Sequence, residues 1–181
     1  HSVVTKNTQL LEAQEKLEAK QRDLNLLFEI EQEINRAVTL DELLDGLLHR
    51  AMDLVGTAAG SIVLLEPKTG DLYFRSVVGP SGAKIKRLRA RLRVGEGIVG
   101  WAVKKRESVI ANDPAHDHRH SETISSLVGF FPKNILCTPL VAEGEVLGAI
   151  ELLDKRHNSR GFDQADMQLL VLIAGQASKA I

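Results

Sequence analysis

The longest nearly unbroken apolar run in the chain lies between Lys133 and Lys155, and one polar turn divides it. Ile135 to Val141 and Val146 to Leu153 are each strand-length, whereas Ala142-Glu143-Gly144-Glu145 is polar and carries a glycine free to take positive φ. This reads as a β-hairpin. Neither arm alternates, so both faces need covering, which predicts the centre of a sheet. Pro139 lacks an N–H and predicts that a neighbouring strand ends, bulges or opens into a pocket beside it.

From Thr5 to about Val38 there is no Gly or Pro, and Val3, Leu10, Leu17 and Leu24 recur every seven residues beside Glu12/Lys16 and Glu18/Arg22 pairs at i,i+4 spacing. One long helix is predicted. Its second seam position is poor, since Lys6, Ala13, Lys20 and Leu27 follow by three residues, so a coiled coil of this segment alone is weak. Thr39 and Glu42 read as a capping box, with Val38 and Leu43 as the hydrophobic staple, and predict that a second helix starts there. Leu40, Leu43, Leu44, Leu47, Leu48, Ala51, Leu54 and Val55 then form a broad apolar face ending at Gly56, the pattern of a helix laid on a sheet.

Gly60 to Glu66 and Asp71 to Val78 flank the turn formers Pro67-Lys68-Thr69-Gly70 and predict another hairpin. Leu88, Ala90, Leu92 and Val94 alternate with Arg89, Arg91 and Arg93, a strand with one apolar and one arginine face. Ser108 to Asn112 reads as a short strand, and Thr123 to Val128 as a short helix stopped by Gly129. Asp163 caps a last helix, with Phe162 and Met167 as staple and Leu169, Leu170, Ile173, Ala177, Ala180 and Ile181 on its buried face. The sum is an α+β domain over residues 39–181, a sheet of about six strands with helices packed on it, preceded by a long N-terminal helix over residues 1–38.

With 44% of its 181 residues hydrophobic and 26% charged, the chain can bury one real core. A net charge of -1 and seven aromatic residues argue against a nucleic-acid partner, which asks for a basic field and stacking rings. No run is long enough to span a bilayer, and nothing reads as a secretory leader. A single cysteine, Cys137, in a predicted buried strand excludes an internal disulfide and suits a reducing compartment. The expected location is cytoplasmic, either free or as the cytoplasmic part of a membrane-anchored protein. Opening on His1-Ser2 without Met and ending inside a helical pattern, the chain reads as a piece of a longer one.

Gly95-Glu96-Gly97-Ile98-Val99-Gly100 matches G-x-G-x-x-G between a strand and a helix, and Asp113 closes the next strand, which imitates a dinucleotide fingerprint. The preceding strand is arginine-faced and the helix to about Arg106 is short for a parallel crossover, so that reading is set aside. What remains is a turn where backbone can approach a ligand closely, with helix-start N–H groups able to receive an anion. Asn112 to Glu122 carries His116, His118 and His120 at alternate positions with Asp113 and Asp117. Three imidazoles can make a zinc site, but nothing enforces that geometry and Arg119 lies among them, so no metal is expected and the segment reads as a polar, mobile, pH-sensitive loop. The arginine stripe reads as solvated surface, since neither net charge nor aromatics support a binding use.

Four stretches, GEGIVGWAV, VIANDPAHDHRH, GFFPKNILCTPL and LGAIELLDK followed by FDQAD, together make the chain resemble a GAF domain from about Leu27 to its end. The family is sensory and regulatory, and the resemblance implies a GAF-like antiparallel sheet. The last stretch is similar to the Asn-Lys…Phe…Asp-Glu signature of cyclic-nucleotide-binding members: Lys155, Phe162 and Asp166 match, while Asp154 replaces Asn and Met167 replaces Glu. In that family the Lys and Asp pair under the domain, which makes Lys155 and Asp166 structural candidates. Nucleotide-binding relatives tend to carry an Asp and a Thr on the helix before Gly-Phe and another Thr just after it, where this chain has Ser125, Val128 and Pro132, so those hydrogen-bonding groups are missing. The ligand-binding residues implied by resemblance are Ser61, Ile98, Val99, Trp101, His118, His120 and Glu151, a mostly apolar cavity with a few polar groups.

The implied function is regulatory sensing of a small-molecule ligand of unknown identity, with no catalytic residues and no cofactor. Ligand state would pass through the terminal helices of a homodimer joined by the N-terminal helix to an output domain in the same full-length chain, by analogy a histidine kinase or a cyclic-dinucleotide enzyme. The alternative is a structural dimerisation relay with an empty pocket. Some relatives reduce free methionine sulfoxide through several cysteines; Cys137 is alone and in an apolar strand, so enzymatic turnover is set aside.

Overall fold

The computed structural model describes residues 2–157 and 160–181, with the side chains of Ala37 and Val38 outside the description. It divides into two compact units, residues 1–40 and 41–181. Helix α1 is Ser2–Val55, so the expected second helix start at Thr39 is corrected. Nothing before Gly46 interrupts the backbone ladder, and the Thr39 hydroxyl, instead of capping, donates to the Asn35 carbonyl one turn back at 2.7 Å. The staple expected of Val38 lies outside the described residues. Val3, Leu10, Leu17 and Leu24 are 65 to 68% exposed, as a seam without a partner in its own chain must be.

In the second unit the strands are β1 (Thr57–Leu65), β2 (Asp71–Val78), β3 (Arg91–Arg93), β4 (Val109–Ala111), β5 (Ile135–Ala142) and β6 (Glu145–Lys155). They form one antiparallel sheet in the order β3-β2-β1-β6-β5-β4. The apolar run is the β5–β6 hairpin, and β6 sits centrally between β1 and β5, which is why it tolerates no alternation. Beside Pro139 the edge strand gives way: the β4 ladder on β5 stops at Cys137. Since β3 and β4 lie at opposite edges, the glycine-rich turn between them cannot belong to a parallel βαβ unit.

The arginine-striped segment departs from expectation. Gly82–Leu88 is a helix, α2, closed by Arg89 in the left-handed region, and only Arg91–Arg93 is strand. Ala90 and Leu92 are buried as the alternation predicted, whereas Leu88 and Val94 are exposed. The helix formers from Ala83 to Leu88 act locally, and burial of Ile85 against the sheet selects the helix over a longer edge strand.

Two layers cover the sheet. On one face, where Ile62, Ile150 and Leu152 are fully buried, Leu48 of α1 reaches the backbone at Gly60 and helix α5 (Gln164–Ala180) packs on β5. Leu44, Leu47, Leu48, Ala51 and Val55 are buried there, while Leu43, Leu54 and Leu169, expected on the same faces, are exposed. On the other face Val63, Ala149 and Cys137 pack with Ile98, Val99, Ala102 and Val103 of helix α3 (Gly97–Lys105). At the start of α5 a capping box joins Asp163 and Asp166, and Lys155, leaving β6, ion-pairs with Asp166; the two side chains are only 12% and 10% exposed. The backbone N–H of Asp166 lowers the pKa of the exposed Asp163 carboxyl.

Candidate functional site

The site grows from one irregularity in β2. Pairing runs from Val63 opposite Phe74 to Ile62 opposite Ser76, so Arg75 is the extra residue of a β-bulge. The bulge brings Phe74 and Val77, three residues apart, to the same face of the sheet as Ser61 and Val63. Arg75 and Ser76 are thereby free to hold α1: Arg75 pairs with Asp41, and the Ser76 hydroxyl donates to Asp45.

Phe74 and Val77 form one wall of a cavity of about 100 Å³. Its floor is Ser61 of β1 with Glu151 and Leu153 of β6, its side is Ile98 and Val99 at the start of α3, and its roof is the segment from His120 to Pro132, which includes helix α4 (Thr123–Val128). α3 can start so close to the sheet because Gly100 leaves no room for anything larger: a Cβ there would lie 2.5 Å from the Arg93 carbonyl oxygen. The roof is anchored where the Thr123 hydroxyl donates to Glu96 at 3.1 Å.

Glu151 is the chemical feature of this cavity. It stands between Ser61 and Cys137 in the sheet, and Ser61 Oγ donates to its Oε1 at 2.9 Å. By surface exposure Glu151 is half-buried, and it lines the cavity. Burial pushes its pKa up to about 7, against the lowering effect of the Ser61 hydrogen bond. The neighbouring Cys137 thiol is completely buried, and burial together with the Glu151 charge holds its pKa well above the ordinary range. Such a thiol is a poor nucleophile.

Of the seven residues expected at the site, Ser61, Ile98, Val99, His120 and Glu151 line the cavity; Trp101 and His118 do not. Trp101 is half-buried on α3 beneath Arg119, whose guanidinium carbon is 5.3 Å from the ring centroid. Arg119 is itself fixed by two side-chain hydrogen bonds to Asp117, at 2.9 and 2.7 Å. These hydrogen bonds hold the Asp117 carboxyl down at about 2. His118 instead lines a shallow outer cleft with Asp117 and Arg119. The histidine loop is therefore pinned at its middle, and only His120 turns inward. His116 turns to Asp113, its Nδ1 lying 2.9 Å from the carboxylate. Among the described residues no group of three or more His, Cys, Asp or Glu is placed to hold a metal ion.

Phe74, Val77, Ile124 and Phe130 also line the cavity and were not anticipated as site residues. The strand period conceals the first two, because the bulge at Arg75 shifts it. Ser125, Val128 and Pro132, which stand where nucleotide-binding relatives tend to carry hydrogen-bonding groups, all face the cavity.

The sequence profile described as GAF domain matches residues 37–181. A probable 3',5'-cyclic phosphodiesterase of Caenorhabditis elegans is 27% identical over 146 residues, covering 76% of this chain and 20% of that protein. A dual 3',5'-cyclic-AMP and -GMP phosphodiesterase 11A of Takifugu rubripes is 31% identical over 77 residues, 42% of this chain and 8% of that protein. The chain thus spans about a fifth or less of these two relatives. In fold it is similar to the GAF domain of a phosphoenolpyruvate-protein phosphotransferase from Coxiella burnetii, with TM-score 0.69, 21% identity and coverage of 87% of this chain and 90% of that one. A type II free methionine-R-sulfoxide reductase from Thermoplasma acidophilum shares the fold at TM-score 0.65 and 17% identity, over 80% of this chain and 94% of that one. Among the described residues no helix is long and apolar enough to cross a membrane. With the profile covering most of its length and the sheet, lid and terminal helices in place, the chain belongs to the GAF family, a regulatory domain found in signalling proteins.

Proposed function

We propose that this domain senses a compact small molecule held in the cavity between the sheet and the His120–Pro132 roof, and passes its presence to a partner domain through α1 and α5. The observation that carries this reading is the cavity itself: mainly apolar walls around one partly buried carboxyl–hydroxyl pair, Glu151 and Ser61, roofed by a six-residue helix. A few convergent polar groups in an apolar enclosure are what orient a small ligand. At about 100 Å³ the cavity is smaller than the roughly 300–1,000 Å³ of typical ligand sites, so anything larger than a few heavy atoms must lift the roof. That requirement makes roof position report occupancy.

Two connections support transmission. Arg75 and Ser76, between cavity-lining Phe74 and Val77, hold Asp41 and Asp45 one turn apart on α1. Just after β4, eight residues before the roof, the Asn112 amide brackets the Phe162 backbone, donating to its carbonyl at 3.0 Å and accepting from its N–H at 2.9 Å, just ahead of α5. Gly161 makes room for this clamp, since a Cβ there would fall 2.3 Å from Asn112 Oδ1. A ligand that prefers one roof position need only bind one helix arrangement better than the other, and no catalytic step is required. A second copy joined along the N-terminal helix would receive the change, and the output domain would lie elsewhere in the full-length protein. The phosphodiesterase relatives are consistent with such an arrangement, and the lack of a carboxylate at Ser125 and of hydroxyls at Val128 and Pro132 favours a ligand other than a cyclic nucleotide.

The test is a thermal-shift screen over cyclic nucleotides, amino acids and organic acids, run in parallel on a Val128→Trp variant whose indole fills the cavity. Stabilisation that scales with ligand concentration in wild type and vanishes in the variant is expected. No stabilisation by any class would favour a relay with an unused cavity.

A further inference from the structure

Residues 84–93, of which Ile85 and Leu92 line the cavity, hold Lys84, Lys86, Arg87, Arg89, Arg91 and Arg93 and no acidic residue, while the rest of the chain has 17 Lys and Arg against 24 Asp and Glu. The charge of the domain is therefore segregated even though the net charge is near zero. Among the described residues only Arg91 of these six is in an ion pair, with Glu66. Lys86 shares a cleft with Asp41 and Asp45 and is partly compensated there. The remaining four are exposed and unpaired, and Lys104 of α3 brings its side chain against Gly95 at the end of the same segment.

The fold holds these cations in place. Arg87 projects from the side of α2 opposite buried Ile85, Arg91 and Arg93 share the exposed face of β3 opposite buried Leu92, and Lys86, Arg89 and Arg91 rim one cleft. Arg89 occupies the left-handed region at φ 50°, a conformation glycine or asparagine adopts at lower cost, and it has no ion pair to offset that cost. Interleaved with the cations, Leu88 and Val94 are 43% and 41% exposed.

We infer that α2 and β3 form a docking face for an anionic lipid surface. The cations would lie against acidic headgroups while Leu88 and Val94 enter the interface between them, the mixture of basic and apolar side chains that such a boundary accommodates. A nucleic acid fits less well, because the rings nearest the cations, Tyr73 and Phe74 in the cleft of Lys86, Arg89 and Arg91, are half-buried rather than free to stack on a base, and the exposed leucine and valine have no role along a phosphate backbone. None of its cations lines the cavity, so use of the face does not depend on the sensor reading.

The test is co-sedimentation of the whole chain with vesicles of phosphatidylcholine containing phosphatidylserine, and with phosphatidylcholine alone, at low and high salt. Binding only to the anionic vesicles, weakened by salt, is expected. A Lys84→Gln, Arg87→Gln double variant should lose about thirtyfold in partitioning at low salt. A separate Leu88→Gln variant should weaken vesicle binding while leaving any association with a DNA duplex unchanged. All three side chains are exposed, so melting temperatures should match wild type and separate lost binding from lost folding. Binding to neither vesicle, binding that ignores salt or these substitutions, or a duplex bound in preference to the anionic vesicles would overturn the inference.

Discussion

Replacing Glu151 by glutamine should reverse the usual sign of a core substitution and stabilise the protein, by an amount that grows from about pH 4.5 and is complete above about pH 7. The folded domain keeps the Glu151 proton until about pH 7 because burial disfavours the ionised form, whereas the unfolded chain releases it near the ordinary 4.5. Between those values the unfolded state binds fewer protons. Stability is therefore highest below about pH 4.5, falls as the pH rises to about 7, and is then lower by about 3 kcal/mol, at 1.36 kcal/mol for each pH unit separating the two pKa values. Glutamine has nearly the same shape, can still accept from Ser61 and never ionises. Urea denaturation of wild type and Glu151→Gln across pH 4 to 8 isolates this group, because every other titration is common to both proteins. The two should agree within about 1 kcal/mol at the acid end and diverge until the variant is about 3 kcal/mol more stable at the alkaline end. Parallel curves, or a variant less stable at pH 8, would show that Glu151 is solvated or paired within the cavity and would refute the reasoning.

Lys155→Ala should lower the unfolding free energy by about 3 kcal/mol in denaturant melts, because the Asp166 charge is left almost fully buried with the Asp163 backbone N–H as its remaining donor. Ligand affinity should be unchanged, since neither residue lines the cavity. Gly100→Ala should cost about 1–3 kcal/mol, as the new methyl must displace the Arg93 carbonyl or the start of α3, and any ligand-induced stabilisation should fall with it. Deleting residues 1–24 should convert a dimer to a monomer by light scattering, and a dimer that survives the deletion would place the interface on another face.

The sheet was legible in the sequence because its pattern is dictated by burial: two non-alternating arms can satisfy their side chains only at the centre, and β6 lies there. The start of α5 was equally plain, because Asp163, Phe162 and Asp166 carry local capping chemistry that no tertiary contact contradicts. Thr39 shows the limit. Its side chain fits a cap and a helix interior equally, and the uninterrupted backbone on both sides decided for the interior. α2 was hidden because the alternation from Leu88 to Val94 mimics a strand, while the helical signal is only seven residues long. In the cavity, Ser61, His120 and Glu151 were reached through resemblance, yet Phe74 and Val77 depend on a one-residue bulge that leaves no mark in composition. Trp101 was drawn away from the cavity by Arg119, a pairing set by the loop's three-dimensional path rather than by spacing.

The central claim is that the cavity under α4 holds a small molecule, and native mass spectrometry addresses it directly. Wild type and Val128→Trp would be sprayed after incubation with a mixed pool of nucleotides, amino acids and organic acids. The account predicts one defined small-molecule mass per chain on wild type and none on the variant; bare masses for both, or the same adduct on both, would contradict it.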